Sequence, residues 1–401
     1  MYIRLIILQV FNHTEVRPHH PWCNDLCIAP VFDKIDAIMK TLLEQEFPPN
    51  LDSLWDKEFA LQLAQTQGAI SALNQAASLL VNPNLLMRPL LGKEAESSSR
   101  LEGTQASIDD VYQSEVISDP QKKDDVTEIV NYQDALLQGQ RTIESRPLSH
   151  NLIRQVHKTL MTGTRGQDKD PGKFRGENVW IGENGTGQGD ARYVPPDFVH
   201  VPSLMDELVN FMQTTDIHPL IACAVIHQRF EAIHPFKDGN GRTGRSLITL
   251  YLLKSKSLDK PMLYPSGYFE KSKEQYIDAL HGVDTREDWR SWIIYFLKGL
   301  QNQAELSLII AREIDQLLKK FRSLIKSESV KIQLYNVLEY CFIQPYVTAP
   351  LIAKRLNIPV QTVRRYLAKL SEKGILDEVY RLARGERVYA NKQLLKILAI
   401  I

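Results

Sequence analysis

Cysteine is scarce in this chain: four in 401 residues, at positions 23, 27, 223 and 341. Thiols spread this way make no disulfide framework for a protein of this length. His19 and His20 stand near Cys23 and Cys27, but the spacing matches no standard pair of chelating turns and Pro18 and Pro21 interrupt it. A zinc site is therefore not expected, and an N-terminal arm is. Long apolar runs are missing as well. Leu5 to Val10 is too short and wrongly flanked for a signal peptide or a membrane span, so the expectation is a soluble, cytoplasmic protein without membrane contact. Charge of one sign is not in excess, since 48 Lys and Arg balance 48 Asp and Glu, and no segment is of low complexity. The length leaves room for two or three domains.

What is present is mostly helical pattern. Val31 to Glu46, Leu54 to Ala77 and Asp124 to Gln140 carry apolar residues at helical spacing. Thr215 to Pro219 closes one helix and opens another over Leu220 to Phe230. Asp288 starts an apolar helix reaching Leu300, and a longer amphipathic run from Ala304 to Leu324 connects to the C-terminus. Strand signals are confined to the neighbourhood of a Gly-rich tip, Gly182 to Gly189, and to the last few dozen residues.

The stretch His234-Pro-Phe-Lys-Asp238-Gly239-Asn240-Gly241-Arg242-Thr-Gly-Arg245 holds the most chemistry. It runs into Ser246 to Leu253, apolar on nearly every face and so a buried helix. A helix N-terminus offers unpaired N–H groups and a positive dipole end, which suit a pyrophosphate. Gly239 and Gly241 let the backbone approach phosphates, with Asn240 between them. Arg242 and Arg245, three apart, share a helix face and can reach one anion with guanidinium forks. Asp238 is a hard oxygen ligand, and Mg²⁺ beside phosphates needs only one or two carboxylates. His234 is the natural general base for a hydroxyl near neutral pH, and Phe236 should face the core.

This run resembles the signature of the Fic family, H-x-F-x-[D/E]-G-N-G-R-x-x-R. Eight specified positions, each at roughly 2–7% background usage, would coincide by chance in far fewer than one chain in a million. The resemblance implies transfer of AMP from ATP to protein hydroxyls. His234 would be the base, Asp238 the ligand of Mg²⁺ or another divalent cation, and Gly239, Asn240, Gly241, Arg242 and Arg245 the ATP phosphate site. Tyr276 and Leu280 would line the adenine pocket. Pro171 to Arg175, Asn178 to Gly182 and Ala191 to Pro196 look like the stretch containing the family's flap, a hairpin whose Val179, Trp180 and Ile181 would align a target segment by main-chain pairing. Ser98-Ser-Arg-Leu-Glu102-Gly103 matches the family's inhibitory pattern [S/T]-x-x-x-E-[G/N] and lies N-terminal to the signature, as in class II members. Ser98 and Glu102 share a helix face, and Glu102 would pair with Arg245 where a γ-phosphate would otherwise be held. Asn24-Asp25-Leu26 fits the Pro-rich arm that precedes the first helix in related proteins.

From about residue 330 the chain changes character, with twelve Lys and Arg against five Asp and Glu, leaving a net −7 on the remainder. Thr348 caps a short helix ending at Leu356, Asn357 to Val360 turns, and Gln361 to Lys373 makes a second helix ended by Gly374. Ile375 to Tyr380 and Glu386 to Ala390 can pair as a hairpin. That order resembles a winged helix-turn-helix. Gln361, Thr362, Arg364, Arg365 and Lys369 would lie on the outer face of its recognition helix, beside Arg381, Arg384 and Arg387. Such modules bind DNA or protein, and both readings stay open.

The expected fold class is thus mainly α: a Fic-type helical bundle with a β-hairpin flap, plus a C-terminal winged helix domain. The expected domains are an arm and helical region over 1–95, a catalytic core over 96–300, a connecting helix over 301–329 and the winged helix over 330–401. The inhibitory helix would span about 96–105 and the flap about 178–194. The expected activity is that of an autoinhibited protein adenylyltransferase using ATP on Ser, Thr or Tyr hydroxyls of target proteins, itself included. Two alternatives stand beside it: AMP removal through Glu102 and a water, and a nucleotide-sensing DNA-binding regulator. DNA and a second copy of the chain are further candidate partners.

Overall fold

The computed structural model describes residues 42–43, 45–78, 82–117, 122–182, 191–326, 332–382 and 385–399. The arm with its His and Cys residues, nearly all of the helix expected over 31–46, and the flap tip lie outside them. Phe59, Leu63, Thr66, Ile70, Leu73 and Ala77 are buried in α1 (Lys57–Ser78). Steps of three and four put them on one stripe. That stripe lies along a much longer helix near the end of the core, where Thr66 donates to the Leu297 carbonyl.

Next come α2 (Asn84–Leu101), α3 (Ile108–Ser114), α4 (Lys123–Ser145) and α5 (His150–Met161). α3 opens on a capping box, Ser107 and Asp110 holding each other's backbone N–H. α2 begins at Asn84 and so crosses the boundary drawn between residues 95 and 96. After α6 (Val201–Thr214) come α7 (Pro219–Ile233) and α8 (Asn240–Lys254). Both are buried on nearly every face, because α4, α5, α6 and the later helices cover them.

α9 (Ser266–Lys271) and α10 (Lys273–Arg286) lead to α11 (Trp289–Ile325). α11 is one continuous helix, where the sequence suggests a helix ending at Leu300 and another starting at Ala304. Gln301-Asn302-Gln303 is polar but contains no helix stop, and Gln303 and Ala304 are buried, so the packed face passes straight through.

The C-terminal region contains α12 (Ile332–Ile343), β1 (Tyr346–Val347), α13 (Ala349–Leu356), α14 (Val360–Glu372), β2 (Asp377–Arg381), β3 (Arg387–Ala390) and α15 (Lys392–Leu398). Thr348 caps α13 through the Leu351 N–H, as the sequence suggests. The strands form an antiparallel sheet in the order β1-β3-β2, with Val347 opposite Tyr389 and Glu378 opposite the same residue from the other side. β1 was not expected. This region rests on the core: α12 packs on α2, Gln344 donates to the Tyr112 carbonyl at 2.7 Å, and the Tyr346 hydroxyl meets Asp109 at 3.3 Å. The molecule is mainly helical with one small antiparallel sheet, matching the expected class.

Candidate active site

α7 ends at Ile233, and His234 follows in the left-handed region, φ 50°. A non-glycine residue is held there at a cost of order 1 kcal/mol, so its surroundings must determine it. They do. Buried Arg175 donates to the carbonyls of His234 (2.9 Å), Glu177 (3.2 Å) and Pro196, and its own N–H reaches the Pro235 carbonyl at 2.8 Å. His157, on α5, stacks on the buried Phe236 ring at 3.7 Å between centroids. Its Nδ1 accepts from the Gly172 N–H at 2.8 Å, so Nε2 carries the proton and donates to the Asp238 carbonyl, also at 2.8 Å.

Asn240 works on the same loop. Its side-chain oxygen accepts from the Phe236 N–H and its amide donates to the Phe236 carbonyl, both at 2.8 Å. Among the proposed ATP residues, then, Asn240 shapes the loop with its side-chain oxygen and one of its two amide N–H groups. Gly239 caps α8 at φ 74°, a conformation that favours glycine.

The Nδ1 of His234 faces the Glu231 carbonyl at 3.3 Å. A carbonyl only accepts, so that nitrogen is the protonated one and Nε2 presents its lone pair. Burial pushes the His234 pKa down to about 4, against the pull of the Glu231 carbonyl. At neutral pH the ring is a neutral base.

Asp238 is exposed. Its Oδ1 accepts from the Gly239 N–H at 2.6 Å and lies 4.0 Å from the Arg242 Nη2. Among the described residues, no cluster of three His, Cys, Asp or Glu side chains could enclose a metal ion. A single solvent-facing carboxylate beside buried guanidinium groups fits Mg²⁺ that shares its shell with phosphates and waters, and does not fit an all-protein cage.

The two arginines differ. Arg245, 2% exposed, is fully engaged: Nε donates to Ser98 Oγ at 2.8 Å, and Nη2 to the Ser98 carbonyl at 2.8 Å and Glu102 Oε1 at 2.6 Å. Arg242 is buried, yet among the described residues its Nε and Nη1 make no hydrogen bond; Nη1 lies 3.6 Å from Glu128 Oε2, and Nη2 meets the Met161 sulfur at 3.6 Å.

Glu102 is where α2 stops. The Gly103 N–H returns to the Arg100 carbonyl and the Thr104 N–H to the Ser99 carbonyl, with Gly103 at φ 95°. This is a Schellman closure, which favours glycine immediately after Glu102. The turn sets the carboxylate over the first turn of α8: a Cβ added to Gly241 would lie 2.1 Å from Glu102 Oε1 and 2.7 Å from Arg245 Nη1. Burial opposes charge on Glu102, but the Arg245 guanidinium, by charge and hydrogen bond, holds its carboxyl below the usual value, with Arg242 and His234 adding to this.

Tyr276, expected at the adenine, is buried. Its hydroxyl meets His227 Nε2 at 2.7 Å and its ring stacks on Phe269, so it belongs to an aromatic cluster that also includes Trp292. Leu280, one turn further along α10, is half-buried. In the flap, Ile181 pairs with Tyr193 as an isolated antiparallel bridge, Val179 is half-buried and Trp180 is 47% exposed; residues 183–190 lie outside the described ones.

On α14, Gln361, Arg364 and Arg365 are exposed and Thr362 and Lys369 half-buried. Arg364 is paired with Glu386 at 2.7 Å, and Arg381 and Arg387 with Glu378. His157 and Arg175 carry no assignment in the sequence reading. The one signal for His157 is a polar residue on the apolar face that Leu152, Ile153, Val156 and Leu160 make on α5.

Residues 60–141 match the model of the Fic/DOC family N-terminal domain, and residues 147–252 that of the Fic/DOC family. A probable protein adenylyltransferase of Aquifex aeolicus is 28% identical over 210 residues, 49% of this chain and 62% of that protein. The protein adenylyltransferase fic-1 of Caenorhabditis elegans is 27% identical over 158 residues, 39% of this chain and 28% of that protein. The chain thus spans less than two thirds of the length of these relatives. A Fic family protein from Desulfovibrio desulfuricans G20 shares the fold, with a TM-score of 0.52 at 20% identity, covering 82% of this chain and 95% of that one. With its His-to-Arg loop inside the second matched segment, this chain carries both domains of the Fic/DOC family, the N-terminal one and the Fic domain itself.

Proposed function

We propose that this protein is an autoinhibited protein adenylyltransferase that moves AMP from ATP to a hydroxyl of a target protein. The observation that carries the reading is the pairing of a free imidazole lone pair with an anion site that a carboxylate of the same chain fills: Glu102 lies over Gly241 and on Arg245. The phosphates of ATP would bind along the first turn of α8, on Arg242, which Glu128 holds from one side, and, once Glu102 leaves, on Arg245. Asp238 would hold the divalent cation, which supplies charge neutralisation for the triphosphate when bound. His234 Nε2 takes the proton of a target Ser, Thr or Tyr hydroxyl, whose oxygen bonds to the α-phosphorus. The bond from that phosphorus to the bridging oxygen breaks, pyrophosphate leaves, and Arg242 and Arg245 stabilise its charge. Val179, Trp180 and Ile181 would align the target segment. Tyr276 would contribute to the adenine site from behind, as packing, with Leu280 nearer the ligand.

The C-terminal region would be a winged helix-turn-helix module, with α14 as the recognition helix and β2–β3 as the wing. Exposed Arg364 and Arg365 make DNA its candidate partner, although Glu386 neutralises Arg364. No helix among the described residues is long and apolar enough to cross a membrane, and the proposed site of action is the cytoplasm.

The test uses α-labelled ATP and whole lysate with wild type, Glu102→Gly and His234→Ala. Labelled protein bands with Glu102→Gly and none with His234→Ala are expected. No label from Glu102→Gly, on any protein including itself, would refute the reading. A chase with unlabelled ATP reports AMP removal, the reaction in which Glu102 would orient a water.

A further inference from the structure

Glu128, on α4, takes no part in the reaction described above, yet it lies between the inhibitory segment and the phosphate arginines. Its side chain is 4% exposed. Oε2 accepts from the Thr104 hydroxyl and stands 3.6 Å from Arg242 Nη1. Oε1 accepts from Arg165 Nε and Nη2, both at 3.1 Å. Thr104 is two residues beyond Glu102, is almost wholly buried, and closes the turn that ends α2.

The next residue is held by the same helix, since the Gln105 N–H donates to Asp125 Oδ2 at 2.8 Å. On the opposite side, Lys273 of α10 donates to the Leu101 carbonyl at 2.8 Å. The end of α2 is thus clamped from two sides, and the buried contact on the α4 side converges on one carboxylate.

A buried carboxylate with three partners is costly to leave incomplete, so it fixes the groups that satisfy it. The consequence for Glu102 is geometric. Its 2.6 Å contact with Arg245 depends on the Gly103 turn keeping its place, and beyond Glu102 it is the Thr104 side chain that ties this turn to the core by a hydrogen bond.

We infer that Glu128 is a positioning residue for the inhibitory contact: it anchors Thr104, and through the Gly103 turn it holds Glu102 over α8, while orienting Arg242 from the same oxygen. This rests on the function proposed above and adds to it how the carboxylate is kept in place. Loosening the anchor at Thr104 should release inhibition in part without touching the groups that bind phosphate, whereas a change at Glu128 also loosens Arg242.

The test compares Thr104→Val and Glu128→Gln in the full chain, each with Glu102 present and with Glu102→Gly. Two readouts are taken: AMP transfer, and amide hydrogen exchange over residues 102–105. With Glu102 present, Thr104→Val should raise transfer several-fold, and both changes should speed exchange at Gly103, Thr104 and Gln105 about tenfold, the worth of one buried charged hydrogen bond at its lower bound. With Glu102→Gly, Thr104→Val should add nothing to transfer, because no inhibitory contact remains to loosen. A residue that serves only folding would instead lower transfer in both backgrounds. Unchanged exchange at 103–105 in both variants, or equal loss of transfer by Thr104→Val with and without Glu102, overturns the inference. Should Glu102→Gly itself transfer no AMP, the proposed function fails, and the exchange measurement alone decides whether Glu128 holds the turn.

Discussion

Replacing Glu102 by glycine tests the centre of this reading, and the structure sets the size of the effect. The change removes one of three contacts on the Arg245 guanidinium and leaves the Ser98 hydroxyl and carbonyl, each at 2.8 Å. The arginine is therefore not orphaned, and the Gly103 turn stays intact, so the fold should lose no more than about 2 kcal/mol, the worth of the one contact removed. Any γ-phosphate that takes this place in wild type must first displace the carboxylate. A hydrogen bond to a charged group contributes about 1.5–3 kcal/mol. Glu102 is 38% exposed, so solvent screening brings this toward the lower end. About 1.4–2 kcal/mol corresponds to roughly ten- to thirtyfold in affinity. Calorimetric titration in a His234→Ala background, which stops turnover, should show ATP binding tightened by that factor. ADP, which has no γ-phosphate, should gain less than about threefold, because the competing contact is no longer relevant to it. Equal gains for ATP and ADP, or no gain for either, would refute the competition between Glu102 and the terminal phosphate.

Four further outcomes follow from the geometry. His234→Ala should cut AMP transfer by about 10²–10⁴-fold with ATP affinity kept, because the ring moves a proton and holds no phosphate; near-normal transfer in a radiolabel assay refutes this. Asn240→Ala leaves both the Phe236 N–H and its carbonyl unpaired in the interior, at about 1–3 kcal/mol each, so the denaturant midpoint should fall clearly while a conservative surface change does not move it. Burial lowers the pKa of His157 to about 4 and of His227 to about 3, so below pH 6.5 the unfolded chain binds protons that the folded one refuses. The share of stability from each ring should therefore decline as pH falls from about 6.5 through 4, on the order of 3 kcal/mol per histidine. Glu231 and Asp284, which burial raises to about 7, trend the opposite way, so a stability gap between wild type and His157→Gln that stays level over that range would contradict it. Reversal of Arg364 and Arg365 to Glu should weaken DNA binding and flatten its salt dependence with AMP transfer unchanged; a wild-type chain with no salt-sensitive DNA affinity would favour a protein partner for this module.

How much of this was legible in the sequence depends on whether the cause is local. The helices over 57–78, 123–145 and 219–233 declare themselves because their apolar residues recur at helical spacing, and the Thr348 cap is local chemistry. The capping box at Ser107 carries the same local signal but does not enter the sequence reading. The loop 234–245 is legible because its residues are neighbours in sequence and in space. β1 is two residues long, too short to show alternation, and only its pairing with β3 defines it. The continuity of α11 through 301–303 depends on what packs there. His157 and Arg175 brace the loop from 81 and 59 residues away, and no local pattern announces either contact. Asn240 and Tyr276 read as ligand contacts through the family resemblance, and a sequence does not say that the Asn240 amide also bonds to Phe236 or that the Tyr276 ring stacks on Phe269.

Arg242 and Arg245 make the same point most sharply. Helical spacing gives them equal access to one anion, and three positions apart on α8 they do share a face. Their environments make them unequal. Arg245 meets three acceptors supplied by the end of α2, so a ligand reaches it only by displacement. Arg242 is as buried, but among the described residues its Nε has no partner and its Nη1 only the Glu128 carboxylate at 3.6 Å, so a ligand gains contacts there without displacing Glu102. A nucleotide would thus find one arginine ready and one closed. Binding and reaction become separable steps: ATP can be held by the first while alignment of its α-phosphorus waits on the second. The sequence contains both arginines and the Ser98–Glu102 pattern. The fold adds the asymmetry by ending α2 at a glycine turn directly above Gly241.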